Sequence, residues 1–127
     1  MLARRVMTVA RVALGKAAED LACEELTRRG YAIVARRYRH RAGEIDIVAR
    51  DGGTIVFVEV KARTSGAFGA AAESVTALKR RRIVNTALDF LARHRLTGEP
   101  CRFDVVSIQG GPDGPRVEVV PHAFTVD

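Results

Sequence analysis

The chain has 127 residues, a length that suits one domain of ordinary size with a single core. Hydrophobic residues make up 47% of it and charged residues 28%, which is a globular composition and excludes a chain that is disordered throughout. Lysine and arginine outnumber aspartate and glutamate by 21 to 15, and the formal charge of +6 favours polyanionic partners, nucleic acid first among them, over the alternative of a basic protein without such a partner.

The chain begins with MLARRVMTVARVAL, a short apolar stretch that arginine interrupts and that lacks the cleavage site of a signal peptide. No apolar run approaches the roughly 20 residues that cross a bilayer. We therefore expect a cytoplasmic protein in which residues 1–14 form a basic N-terminal tail, or in which translation starts at Met7, and residues 15–127 form a single domain. Cys23 and Cys101 are far apart and form no CxxC pair, so we expect both to be reduced and buried.

The first half of the chain predicts one helix and three strands. Residues 15–29 carry apolar side chains at helical spacing and are followed by a glycine, which predicts a helix. Residues 31–37 predict a short strand that runs into a basic polar stretch. Residues 43–50 and 54–62 are two β-rich runs joined by Asp-Gly-Gly, which predicts an antiparallel hairpin.

The second half begins with a segment of small residues, 63–74, which predicts a mobile loop. Ser74 is expected to cap a long helix over 75–95. The side chains predicted on the buried face of that helix are Ile83, Val84, Ala87, Leu88 and Leu91. Strands are predicted over 101–109 and 116–121. This order favours an α/β fold with a mixed β-sheet, a central hairpin and flanking helices, in which the crossover helix permits parallel strand pairing.

The hairpin carries charged residues inside strands that are otherwise apolar. A tight turn at its tip pairs residues whose numbers sum to about 105, so Asp46 lies opposite Glu59 and Glu44 opposite Lys61. Opposed carboxylates destabilise a sheet unless a cation or a shared proton lies between them. Mg²⁺ accepts such oxygen ligands, and Lys61 on the same face can orient water or stabilise phosphate charge. The alternative is two salt bridges, Glu59 with a nearby arginine and Lys61 with Glu44.

Residues 43–63, GEIDIVARDGGTIVFVEVKAR, resemble the D…ExK signature of the PD-(D/E)xK nuclease superfamily. They resemble more closely the YraN-type family of bacterial endonuclease-like proteins, which is similar to archaeal Holliday junction resolvases. The similarity extends from GKAAEDLA at residue 15 to RFDVVSI at residues 102–108, although Ile45 stands where the superfamily has proline. It implies a restriction-endonuclease-like fold, a Mg²⁺- or Mn²⁺-dependent nuclease acting on DNA, branched or recombination and repair intermediates as substrates, and a homodimer.

The same resemblance implies roles for single residues. Asp46 and Glu59 would be metal ligands, with the backbone carbonyl of Val60 as a third. Lys61 would assist the attacking water. Glu19 matches the acidic residue that resolvase-like members add from the first helix, and its alternative is a solvated helix glutamate.

The role of Glu44, within GEID, stays open between a partner for Lys61 and a metal contact. A third acidic residue, Asp104, is expected to support a strand end or a neighbouring arginine rather than catalysis.

Basic residues flank the hairpin and open the long helix, where residues 79–82 form a run of four cations. The helix dipole disfavours cations there, so phosphate contact is the preferred explanation and a solvated face is the alternative. The residues predicted to bind nucleic acid are Arg37, Arg39, Arg41, Arg63, Lys79, Arg80 and Arg82. The alternative function is a noncatalytic nucleic-acid-binding module on a nuclease-like scaffold, against which the acidic residues count because carboxylates repel phosphate.

Overall fold

The structure is a computed structural model that describes residues 2–41, 43–63 and 76–124, and the side chains within 15–41, 43–62 and 76–124. Its elements are α1 (Leu2–Arg28), β1 (Ala32–His40), β2 (Gly43–Asp51), β3 (Thr54–Arg63), α2 (Ala77–Arg93), β4 (Cys101–Gln109) and β5 (Arg116–Phe124). The predicted α/β class and element order are confirmed. Neither helix is long and apolar enough, over the residues described, to cross a membrane.

The five strands form one mixed sheet in the order β1-β2-β3-β4-β5. Neighbouring strands are antiparallel except β3 and β4, which are parallel from Ile55↔Cys101 to Arg63↔Gln109. Parallel pairing needs a long crossover, and α2 lies within the connection between these two strands. The prediction that the crossover helix permits parallel pairing is therefore confirmed.

The two helices cover opposite faces of the sheet, each over its own apolar cluster. Leu26 of α1 packs with Ile47 and Val58, whereas Phe90 of α2 packs with Phe57 and their rings meet edge to face at 5.9 Å. Each such buried side chain contributes about 1.5–3 kcal/mol. This α/β/α layering is a restriction-endonuclease-like fold, as predicted. It places the hairpin between two apolar clusters.

The N-terminal elements are longer than predicted. Helix α1 begins at Leu2 rather than at residue 15, so the backbone of residues 2–14 is helical and not a frayed tail; the proposed domain division itself stays a prediction. Strand β1 continues to His40 and takes in most of the expected polar stretch, because pairing with β2 extends to His40↔Gly43. Strand β5 likewise runs to Phe124 instead of stopping at Pro121.

Helix α2 is shorter than predicted and is capped by Thr76, whose side chain accepts the Lys79 N–H at 3.2 Å. Arg63, the first residue of the loop predicted over 63–74, belongs to β3, and the rest of that loop, with Ser74, lies outside the described residues. Leu88 is 54% exposed, so its placement on the buried face was wrong. The buried stripe follows Ile83, Ala87, Phe90 and Leu91, at the helical spacing i, i+4, i+7 and i+8, which turns position 88 toward solvent.

The two cysteines are unpaired, as expected, but each is only partly buried. Cys23 packs at the margin of the α1-side cluster, and Cys101 begins β4 at the margin of the α2-side cluster. The expectation of full burial was therefore wrong for both.

Candidate active site

The predicted hairpin register is confirmed near the turn and ends at the charged residues. Regular pairing runs from Asp51↔Thr54 to Ile47↔Val58, and every pair sums to 105. At the next position Asp46 Oδ2 instead accepts a hydrogen bond from the Val60 backbone N–H at 2.7 Å. A carboxylate thus replaces a backbone carbonyl as the partner of β3. The two strands end their ladder where the acidic side chains begin.

A break in the alternation of β2 produces this arrangement. Ile45 packs on the α2 side and Ile47 on the α1 side, although residues two apart on a regular strand share a face. Asp46 lies between them. Opposite this point the β1 pairing skips Arg37, whose φ of +54° is in the left-handed region that non-glycine residues rarely adopt. Irregularities on both strands therefore coincide at Asp46.

Asp46 and Glu59 form a pair of carboxylates in a poorly solvated place. Glu59 is only 8% exposed. Burial, followed by the charge of Glu59, raises the pKa of Asp46 to about 7, and the hydrogen bond from Val60 opposes that rise. Two such groups repel one another when both are ionised, so the pair favours a shared proton or a cation. The effect of the Glu59 charge on the pKa of Asp46 agrees with the predicted proximity of these two residues.

Two ammonium groups approach the same oxygen of Glu59. Lys79 Nζ lies 2.6 Å from Glu59 Oε1, and Lys61 Nζ lies 3.5 Å from it. Burial, and then the neighbouring Lys79, lowers the pKa of Lys61. Burial also opposes the charge of Lys79, but the contact with Glu59 favours that charge and the pKa of Lys79 is raised. The salt-bridge alternative expected Glu59 to pair with an arginine; among the described side chains, which leave out that of Arg63, Glu59 pairs with these two lysines instead.

Sequence reasoning placed Lys79 only on a phosphate-binding surface and missed its contact with Glu59. The topology carried the signal. A crossover helix that follows a strand starts near the end that the strand has just reached. Lys61 and Arg63 close β3, and α2 begins at Ala77, so the first turn of α2 returns to the acidic pair.

Glu19 is 6% exposed and is not a solvated helix residue, so that alternative is wrong. Its Oε1 accepts from Arg36 Nε at 2.8 Å and its Oε2 from Arg37 Nε at 3.1 Å. It also lines a cleft together with Asp46. The structure thus brings Glu19 to the edge of the site, while its catalytic role stays a prediction.

Glu44 does not form the expected ion pair with Lys61 in the described part of the chain. Among the described side chains it forms an ion pair with Arg39, whose Nε lies 3.5 Å from Glu44 Oε2, because the hairpin ladder ends before position 44 and no longer holds Glu44 opposite Lys61. The Glu44 charge nevertheless contributes to the raised pKa of Asp46. A metal contact by Glu44 stays a prediction.

Two clefts meet at the end of β2. The first has a volume of about 490 Å³, and its charged lining residues are Glu44, Asp46, Glu59, Lys79 and Arg82. The second has a volume of about 460 Å³, and its charged lining residues are Lys16, Glu19, Arg37, Arg39, Glu44 and Asp46. Both clefts share Glu44 and Asp46. Asp46 is therefore accessible from two sides, each of which carries cations, and Glu59 is accessible from the first cleft.

Residues 18–108 match the family described as "Uncharacterised protein family UPF0102". The chain belongs to this family. It is 49% identical over 112 residues to a UPF0102 protein of Symbiobacterium thermophilum, covering 87% of this chain and 95% of the relative. A UPF0102 protein of Geobacter metallireducens is 48% identical over 118 residues, covering 93% and 97%. One of Ralstonia nicotianae is 50% identical over 119 residues, covering 91% and 88%.

The predicted resemblance to YraN-type proteins is confirmed, since UPF0102 is that nuclease-like family. The matched region spans Glu19, Asp46, Glu59, Lys61 and Lys79. These five acidic and lysine residues of the candidate site therefore lie within the part of the chain that matches UPF0102.

The donor set at this UPF0102 site suits a hard divalent cation. Within 2–41, 43–63 and 76–124, no three His, Cys, Asp or Glu residues converge as a metal cage. Mg²⁺ and Mn²⁺ do not need one, because they accept one or two carboxylates together with carbonyl oxygens, water and substrate phosphate. Asp46 and Glu59 supply the carboxylates, and Val60 lines the second cleft beside Asp46. These residues fit the group that the family resemblance implies.

The predicted nucleic-acid-binding residues divide into three sets. Those lining the clefts are Arg37, Arg39, Lys79 and Arg82. Arg41 is exposed just beyond β1, and the Arg80 guanidinium lies 5.6 Å from the centre of the Phe124 ring. The side chain of Arg63 lies outside the described residues. Contact of any of them with nucleic acid stays a prediction.

Asp104 has the supporting role expected from the sequence. It is fully buried and accepts a hydrogen bond from Arg102 Nε at 3.1 Å and another from the His122 backbone N–H at 3.1 Å. It does not line either cleft. Asp104 therefore ties β4 to β5 and lies outside the candidate site.

Proposed function

We propose that this UPF0102 protein is a Mg²⁺- or Mn²⁺-dependent nuclease that hydrolyses DNA phosphodiester bonds at Asp46, Glu59 and Lys61. One observation carries the proposal. Two poorly solvated carboxylates meet where a hairpin ladder ends, two lysines reach one of them, and two clefts with cationic walls open onto Asp46, the first of them also onto Glu59. A structural ion pair would not need access from two sides.

The residues divide the chemistry between them. Asp46 and Glu59 would hold a divalent cation that offsets phosphate charge and makes water more acidic. Water oxygen forms a bond to phosphorus, one P–O ester bond breaks, and the departing oxygen takes a proton from solvent. Lys61 lies beside the carboxylates, and its lowered pKa brings its amine closer to the neutral form that accepts the proton of the attacking water.

The cations of the clefts favour DNA as the substrate. Lys79 and Arg82 stand on one side of Asp46 and Arg37 and Arg39 on the other, so a strand whose reacting phosphate lies at Asp46 has cations beside its neighbouring phosphates in both directions. Branched or recombination and repair intermediates are proposed by analogy with resolvases, which is weaker support than the site. The homodimer stays a prediction on the same ground.

The test is cleavage of labelled single-stranded, linear duplex and four-way-junction DNA in Mg²⁺, Mn²⁺ or EDTA. We expect metal-dependent cleavage that falls by at least about 100-fold in Asp46→Asn and in Lys61→Met. Glu24→Gln is the matched control, because it removes a carboxylate from an exposed position of α1 outside both clefts. Its rate should equal that of the wild type.

A different outcome would favour the alternative function. If the wild type binds these DNAs but cuts none of them with either metal, a noncatalytic nucleic-acid-binding module replaces the nuclease. Equal cutting by wild type, Asp46→Asn and Lys61→Met would place the activity elsewhere or in a contaminant.

A further inference from the structure

Lys79 contacts an oxygen of Glu59, the carboxylate proposed as a metal ligand. Its Nζ lies 2.6 Å from Glu59 Oε1, whereas Lys61 lies 3.5 Å from the same atom. Lys79 belongs to α2 on the far side of the first cleft and is 40% exposed. The shorter of the two contacts is thus made by the more exposed side chain.

The Lys79 contact and metal binding compete at that oxygen. A divalent cation binds carboxylate oxygen at about 2.0–2.2 Å, and an ammonium within hydrogen-bond distance of the same atom would repel it across a few ångströms of poorly solvated space. Lys61 sits farther away and emerges from the same strand as Glu59, so it need not move. Lys79 has a flexible four-carbon stem and an adjoining cleft of about 490 Å³ into which it can turn.

We propose that Lys79 occupies Glu59 in the metal-free protein, yields that oxygen when the divalent cation binds, and turns to a phosphate of the nucleic acid in the first cleft. The proposal rests on the proposed function and assigns a residue outside the D…ExK hairpin to it. Lys79 then links two binding events, because the cation that displaces it also frees it for the substrate. Linkage of this kind is reciprocal, so phosphate binding must in turn favour the metal.

The first experiment measures the Mn²⁺ affinity of the protein without nucleic acid. The methods are isothermal titration calorimetry and the electron paramagnetic resonance signal of free Mn²⁺. Lys79→Met removes the competing ammonium and keeps the stem. Arg82→Met is the matched control, since Arg82 is on the same helix and lines the same cleft, but no ion pair joins it to Glu59 in the described part of the chain. We expect Mn²⁺ to bind roughly threefold to tenfold more tightly to Lys79→Met than to the wild type. The Mn²⁺ affinity of Arg82→Met should differ from that of the wild type by less than about twofold.

The second experiment measures binding of a short single-stranded oligonucleotide with Ca²⁺ or with EDTA, as a check on the released ammonium. Ca²⁺ should raise the affinity of the wild type and of Arg82→Met by the same factor. That factor should be smaller for Lys79→Met, because no ammonium is released. Circular dichroism of each variant confirms folding, which is expected since both side chains are partly exposed on α2.

Failure of this inference differs from failure of the proposed function. If the wild type binds Mn²⁺ and Lys79→Met binds it equally well or less tightly, Lys79 does not compete with the metal, although the metal site stands. Equal tightening in Lys79→Met and Arg82→Met would reduce the effect to general cleft charge. If neither the wild type nor Lys79→Met binds Mn²⁺ at millimolar concentration, the metal site itself is wrong and the exchange falls with it.

Discussion

Replacing Asp46 with asparagine should stabilise the metal-free protein even though it removes the proposed activity. Burial and the charge of Glu59 raise the pKa of Asp46 from its ordinary 3.8 to about 7. The folded state therefore binds a proton that the unfolded chain has released, and stability falls as the pH rises from about 4 to about 7. Asparagine keeps an oxygen that can accept the Val60 N–H and has no charge to lose.

The size of this effect follows from the same pKa values. At 1.36 kcal/mol per pH unit, ionising Asp46 at pH 8 costs the folded protein at most about 4 kcal/mol. Water penetration and the nearby lysines reduce this, and we take about 2 kcal/mol as the working figure. At pH 5 less than half of the difference should remain, because the folded wild type is then protonated at Asp46.

The assay is urea unfolding of wild type and Asp46→Asn at pH 5 and pH 8 in EDTA, followed by circular dichroism. The variant should be more stable at pH 8, and Glu24→Gln, which removes an exposed charge, should show no such pH-dependent gain. Addition of Mg²⁺ should stabilise the wild type and not the variant. An Asp46→Asn protein that is less stable than the wild type at pH 8 would refute the reasoning, since it would show that the carboxylate is better satisfied than its surroundings indicate.

Three substitutions test other contacts by urea unfolding. Glu19→Ala should lower the free energy of unfolding by about 1–3 kcal/mol, because Glu19 is buried and accepts hydrogen bonds from both Arg36 and Arg37. A loss below about 0.5 kcal/mol, which is typical of an exposed ion pair, would mean that water solvates these arginines as well as Glu19 does. Thr76→Ala should cost about 1 kcal/mol through loss of the α2 cap, whereas Thr76→Ser should be nearly neutral. Asp104→Ala should cost about 1–3 kcal/mol, because it removes a fully buried carboxylate that accepts from Arg102 and from the His122 N–H, although Arg102 keeps its ion pair with Asp51; Mn²⁺ affinity should not change, and altered metal binding would contradict the position of Asp104 outside the clefts.

The sequence was most informative where short-range rules decide the structure. The Asp-Gly-Gly turn set the register of the hairpin as far as Ile47↔Val58, which is one position short of Asp46 and Glu59. The sequence could not reveal that the alternation of β2 side chains between the two faces of the sheet breaks at Asp46. That break coincides with an uncommon backbone conformation of Arg37 on the neighbouring strand. Strand periodicity assumes a regular pleat, and two irregular residues facing one another violate it.

Contacts between distant elements were the other gap. Glu44 was assigned to Lys61 because an ideal ladder places them opposite, but the ladder ends earlier and Arg39 takes the contact. The pairing of Lys79 with Glu59 joins residues on α2 and β3 and follows from tertiary packing alone. The exposed Leu88 is a similar case, since an apolar residue near the edge of a helical stripe can face either way until the sheet beneath it is known.

The parallel pairing of β3 with β4 also bears on the order in which the protein folds. β1, β2 and β3 are consecutive and joined by short turns, so they can associate early, whereas β4 must wait for α2 and a loop closure of more than thirty residues. Asp46 and Glu59 therefore lie on consecutive strands of one hairpin, whereas Lys79 lies on a later helix and reaches them only when that helix packs on the sheet. We expect Asp46 and Glu59 to meet before their ammonium partner arrives, so that carboxylate repulsion slows refolding at neutral pH and either mild acid or Mg²⁺ accelerates it.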